Sequence, residues 1–252
     1  MTKAHDDLRS VIEEFETKLF QALAFKYGGA SAAKREWLVD GSPVNKIDIA
    51  RLFELYLEQD IYPPDRLSRL VHQLMDIKIQ LFYIVELDMG LYNRLIYDAG
   101  FTEETINNSP YMVLWNLSLD QNTIMKSRIL WERIMNLVYF LETGKSLEAK
   151  RSGKKTRFFE FIENTRWAFL AEYHDYIDWF DDKLRTPEAH KGSVLRKHFQ
   201  TDSHTPPERI LALANIVVNF FYPSLLEILQ GREVSSRYWV AGMGTPPPVP
   251  SA

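Results

Sequence analysis

The chain has 252 residues, 46% of them hydrophobic, 13% aromatic and 25% charged, with a formal net charge of -4. That is enough apolar material for one large domain or two small ones, and the charge content is ordinary for a globular protein. The slight acidity argues against a protein that coats nucleic acid at large, because such binding depends on neutralised phosphates. The absence of cysteine excludes disulfides, thiolate metal sites and a thiol nucleophile.

In chain order, Met1-Thr2-Lys3-Ala4-His5-Asp6-Asp7 lacks the apolar run of a secretory leader. Leu8, Val11, Ile12, Phe15, Leu19, Ala22 and Leu23 then fall at the spacing of one helix face, and Gly28-Gly29 predicts its end. Residues 30–45 read as irregular. A short helix is expected around 46–59, closed by Tyr62-Pro63-Pro64, and Asp65 opens a longer one with Leu67, Leu70, Val71, Leu74, Leu81, Phe82 and Val85 on its stripe. Two short segments follow, near 91–99 and after Thr102.

Ser109-Pro110 predicts a helix start, with a capping hydroxyl before a proline at the opening position. That helix is expected to run to Glu142, with a weak point near Leu119-Asp120-Gln121-Asn122 and an end at Gly144. Residues 145–156 form a basic connection. One aromatic-rich helix is then expected over 157–184, and Thr186-Pro187-Glu188 reads as the cap, proline and first-turn acid of another. Thr205-Pro206-Pro207-Glu208 repeats the pattern before a last helix over 207–230, stopped by Gly231. The most apolar stretch, 210–222, is interrupted by Asn215 and Asn219 and is too short to span a bilayer. Alternating strand patterns are nearly absent and no internal repeat is found. The expectation is an all-α, multi-helix bundle in the cytoplasm. It has an N-terminal helical region (1–108), a helical bundle (109–235) and a Pro-rich tail (236–252).

The segment with the most chemical content is Asp181-Asp182-Lys183-Leu184-Arg185-Thr186-Pro187-Glu188-Ala189-His190-Lys191. If Thr186 caps a helix, His190 lies in its first turn and Arg185 at its mouth. There, free backbone N–H groups and the helix dipole favour an anion. Arginine grips phosphate with a fixed fork of donors, and histidine both takes and gives a proton near neutral pH. Lys191, Arg196, Lys197 and His198 add positive charge nearby. The plainer reading is a helix junction in which Arg185 pairs with Asp181 or Asp182.

Arg185, the polar Thr186 and His190 after a short spacer, late in a helical bundle, resemble the signature of the HEPN family, the higher eukaryotes and prokaryotes nucleotide-binding domains. The resemblance covers about 109–235. Where that family usually has Asn, Asp or His after the arginine, this chain has Thr186, and Pro187 follows. The resemblance implies a helical bundle that forms a homodimer and a metal-independent endoribonuclease with no cofactor. Arg185, Thr186 and His190 would form its catalytic set, and RNA phosphates would be bound with help from Lys191, Arg196 and Lys197. A ribose 2′-hydroxyl would attack the adjacent phosphate, leaving a cyclic phosphate and a 5′-hydroxyl. A cognate regulatory protein is left unidentified, and no membrane partner is expected.

Two other readings stand beside it. A non-catalytic all-α interaction or scaffold protein would use Arg185 and His190 only to stabilise a junction. A metal-dependent nucleotide hydrolase would use the acidic helix 160–182, where Glu160, Glu163, Glu172 and Asp175 are spaced like paired carboxylate ligands and His174 and Asp178 stand at i, i+4. On one continuous helix, however, Glu160 and Glu172 would be roughly 18 Å apart, so a solvated acidic face is the simpler account. Lys145, Lys150, Arg151, Lys154, Lys155 and Arg157 make the densest basic run, which matters if it folds toward Arg185. Arg128 and Glu132 read as a helix-surface pair at i, i+4, or Arg128 points into a cleft.

Overall fold

A computed structural model of the chain describes residues 3–26, 47–58, 64–84, 110–147, 153–186 and 221–234. Among these residues every regular element is helical and no strand occurs, as the 3.6-residue periodicity predicts.

Helix α1 (Lys3–Lys26) places Leu8, Ile12 and Leu19 in the core, a narrow stripe for so long a helix. Polar ties supplement it. Arg9 donates to Glu54 Oε1 through Nε at 3.2 Å and Nη2 at 2.6 Å, and its guanidinium lies 5.9 Å from the Phe53 ring centroid. Helix α2 (Ile49–Glu58) begins where Asp48 Oδ1 accepts the Arg51 N–H at 2.8 Å. That is side-chain capping of an otherwise unpaired helix donor. Helix α3 (Pro64–Phe82) opens on a proline and buries Leu67, Leu70, Val71, Leu74, Ile77 and Leu81, the stripe read from the sequence.

Helix α4 (Pro110–Thr143) is the spine, 34 residues and about 50 Å by helical rise. It starts at the expected proline and has no break near 119–122. That stretch contains neither proline nor glycine, and the buried positions resume at Thr123, Ile124 and Ser127. Its end is built as expected: Gly144 turns left-handed at φ 71, and its N–H donates to Phe140 O at 2.7 Å. Helix α3 packs along α4, with α1 and α2 on α3. Helix α7 (Tyr222–Leu229) packs on α2 and ends at Gly231, φ 67, where the sequence places the stop. One apolar cluster runs from Leu8 to Leu229, so the core crosses the position near 108 where the sequence changes character.

The helix expected over 157–184 is instead four pieces. They are α5 (Lys154–Ile162), a 3₁₀ segment (Ala168–Tyr173), α6 (His174–Phe180) and a π-helical turn (Asp181–Arg185). Thr165 breaks it: its hydroxyl donates to Ile162 O at 3.0 Å and accepts the Trp167 N–H at 3.2 Å. Threonine competes with the helical ladder for backbone groups in this way. Trp167 is then fully buried, with its indole N–H on Glu142 Oε1 at 2.8 Å. The break lets aromatics on all sides of one sequence stretch reach a core. Phe158 and Phe159 flank Trp131 at 6.2 and 6.4 Å, while Trp167 lies 5.9 Å from Phe221.

Candidate functional site

On α6 and the π-turn, His174, Asp178, Asp181 and Arg185 follow one another at +4, +3 and +4 and therefore share a face. That face packs on α4, which supplies Arg128 and Glu132, and beside the start of α5, which supplies Lys155. Ion pairs join the three elements into a charged seam. Arg128 Nε donates to Asp181 Oδ1 at 2.6 Å, and Lys155 Nζ reaches Asp181 Oδ2 at 3.2 Å. Lys155 also contacts Asp178 Oδ1 closely. Arg128 Nη1 lies 3.3 Å from Glu132 Oε1, and His174 Nε2 lies 3.6 Å from Asp178 Oδ2. The His174 ring is stacked 4.2 Å from Phe159.

The centre of this seam is buried. Arg128 and Asp181 are each only 9% exposed, among the fully buried Ser127 and Trp131. Taking such a pair out of water costs several kcal/mol per ion before attraction repays it, so the seam is a poor source of stability for its own sake. It ends at a π-turn, in which the Thr186 N–H donates to Asp181 O. Turns of this kind are rare and are frequent at functional sites.

Arg185 is half-buried at the end of that turn. Its Nε is shielded from solvent and has no hydrogen-bond partner among the described residues. The junction reading of the sequence pairs Arg185 with Asp181 or Asp182, but the structure gives Asp181 to Arg128 and Lys155 and leaves Asp182 exposed. Thr186 also departs from expectation. Its dihedrals, φ -68 and ψ -45, are helical and its N–H is already bonded, so it continues the incoming helix instead of capping a new one. A cap takes extended dihedrals, so Thr186 does not supply the free N–H groups expected at the mouth of a helix. His190, Lys191, Arg196, Lys197 and His198 lie outside the described residues.

No protein-family model, curated protein or solved structure matches this chain.

The acidic residues of the hydrolase reading sit on separate elements, and Glu160, Glu163, Glu172 and Asp175 are all exposed. His174 and Asp178 do approach one another, yet Asp178 is held by Lys155. Among the described residues no group of three or more His, Asp or Glu is arranged to hold a metal ion. Of the basic run, Lys155 turns inward to the seam, whereas Arg157 is exposed. No helix among the described residues is long and apolar enough to cross a membrane.

The sequence reading missed the Arg128–Asp181 bond, which joins residues 53 positions apart. A signal was present. Ile124, Ser127, Trp131 and Met135 trace the buried face of α4, and Arg128 stands on it. An arginine on a core stripe needs an internal acid.

Proposed function

We propose that this chain is a metal-independent endoribonuclease whose centre is built on Arg185, with His190 as the acid–base group. The observation that carries the reading is the Arg185 guanidinium: its Nε is withdrawn from solvent and unbonded among the described residues, while the acid four residues before it is held by other cations. A donor left unpaired and desolvated costs about 1–3 kcal/mol, which a bound anion offsets. The inward turn of Lys155, out of the densest basic run, adds positive charge on the same face.

In this reading Arg185 binds the scissile phosphate and stabilises the charge that grows on its non-bridging oxygens. His190 takes the proton of the ribose 2′-hydroxyl as that oxygen bonds to phosphorus. The phosphorus–O5′ bond breaks, and a protonated histidine returns a proton to the leaving 5′-oxygen. The products are a 2′,3′-cyclic phosphate and a 5′-hydroxyl. Thr186 orients either group, Lys191, Arg196 and Lys197 hold flanking phosphates, and a homodimer would present two such centres.

The test is cleavage of mixed-sequence RNA in EDTA by wild type, His190→Ala and Arg185→Gln, with the product ends mapped. Wild type is expected to leave cyclic phosphate ends. Loss of His190 should slow cleavage roughly 10²–10⁴-fold and loss of Arg185 roughly 10²–10³-fold. A folded wild type that leaves RNA intact, or cleavage indifferent to His190→Ala, overturns the reading. Activity that disappears in EDTA and survives His190→Ala would instead indicate a metal-dependent nucleotide hydrolase.

One observation favours a second reading, a non-catalytic interaction or scaffold protein. The seam balances three cations (Arg128, Lys155, Arg185) against three carboxylates (Glu132, Asp178, Asp181), as a purely structural joint would.

A further inference from the structure

We propose that Arg128 and Lys155 are positioning residues for Arg185: they hold the Asp181 carboxylate away from it and so keep its guanidinium open to a phosphodiester. The inference rests on Arg185 as a phosphate-binding group and adds what keeps that group available.

An aspartate four residues before an arginine on a helix is well placed to pair with it. Here the pair is not made. Both Asp181 oxygens are occupied, Oδ1 by Arg128 Nε at 2.6 Å and Oδ2 by Lys155 Nζ at 3.2 Å. These cations come from two other elements, α4 and the start of α5. Lys155 also holds Asp178, the next acid back along the same face. Without Arg185 the seam has two cations, Arg128 and Lys155, against three carboxylates, Glu132, Asp178 and Asp181. Its own charge therefore draws Arg185 inward. Removing either cation leaves Asp181 short of a partner, and Arg185 is the cation remaining on its face. Asp181 is thus a potential internal competitor for the phosphate, and Arg128 and Lys155 neutralise it.

The experiment measures binding of a 2′-deoxy oligonucleotide of mixed sequence, which has no 2′-hydroxyl to react, by fluorescence anisotropy on the full chain. Arg185→Gln is expected to weaken binding about tenfold, the worth of one charge-assisted contact. Arg128→Met and Lys155→Met are expected to weaken it to a similar degree although neither residue touches the oligonucleotide. Adding Asp181→Asn to either variant is expected to restore binding to within about threefold of wild type. A merely structural role for Arg128 or Lys155 would not be rescued by removing a second member of the seam. A parallel readout is the Arg185 Nε–H signal in nitrogen-15 spectra. It should shift in Arg128→Met, where Asp181 captures it, and return in Arg128→Met/Asp181→Asn.

Lys155 is near the first turn of a helix and partly exposed, so Lys155→Met tests the idea if Arg128→Met does not fold. Binding that falls in Arg185→Gln and in the cation variants, but is not restored by Asp181→Asn, overturns the positioning role and leaves Arg185 as a phosphate ligand. Binding unchanged in Arg185→Gln overturns both.

Discussion

Lys78 shows how a single residue can cost stability and fix geometry at once. It is 1% exposed on α3, with Nζ donating to Glu16 Oε1 at 2.6 Å and Oε2 at 2.7 Å on α1. Burial lowers its pKa from 10.5, with Glu16 and Asp48 acting against that shift. Between the lowered value and 10.5 the unfolded chain therefore holds more protons than the folded one, and stability rises with pH through that window. Urea unfolding at a series of pH values should show this rise in wild type and lose it in Lys78→Met. At neutral pH Lys78→Met should be neutral or stabilising, as is common when a buried ion is replaced by an apolar group. Glu16→Ala should cost about 1.5–3 kcal/mol, because it removes charge-assisted bonds from a buried ammonium. A stability profile of Lys78→Met parallel to wild type would refute the assignment.

Among the elements, the break at Thr165 decides where the seam lies. The hydroxyl that pulls the chain out of α5 sends Trp167 into the core beside Glu142 and sets α6 on a new axis against α4. Thr165→Val keeps the shape and removes both hydroxyl bonds. It is expected to destabilise by about 1–2 kcal/mol, with a change in Trp167 fluorescence as the readout; an unchanged emission spectrum and midpoint would show that packing alone makes the break. The same element explains what the sequence could and could not reveal. Helix starts and stops at Pro110, Gly144 and Gly231 were legible because proline and glycine act locally. The stripes of α1 and α3 were legible because burial imposes a period. The break was not, since nothing about Asn164-Thr165 in isolation outweighs the helical pattern around it; the deciding contact is Trp167 with Glu142, 25 residues away. At the candidate site, Arg185 could be picked out by residue type and spacing. That its nearest acid would be occupied by Arg128 depends on a contact no spacing rule reaches.

At the scale of the molecule, two ends of the described chain meet at one hydroxyl. Tyr222 Oη accepts the Asp48 N–H at 2.9 Å and donates to Asp48 O at 3.1 Å, so a residue of α7 closes the backbone that starts α2. The cap on α2 and the tie to α7 therefore share Asp48. Burial raises the Tyr222 pKa above its ordinary 10. The folded chain thus keeps a proton that the unfolded chain loses, and stability falls as pH climbs past about 10. Tyr222→Phe should lower stability by about 1–2 kcal/mol at neutral pH and flatten that alkaline fall. With one core cluster from Leu8 to Leu229, wild type and variant should each unfold in a single transition. Two resolved transitions in calorimetry would show that the halves fold independently.

The π-turn at Asp181–Arg185 carries a consequence for how this chain tolerates change in length. A π-turn holds one residue more than an α-helical turn would need. Deleting one of the residues 182–184 would return the segment to a regular α-helix at little cost in hydrogen bonds. It would also swing everything after it by about 100° about the helix axis. The guanidinium now lined up with His174, Asp178 and Asp181 would leave that line, while the core upstream stayed as it is. Length, at this one point, is a coordinate of direction: an insertion elsewhere in a helix is a defect to be absorbed, and here the extra residue aims the side chain that follows.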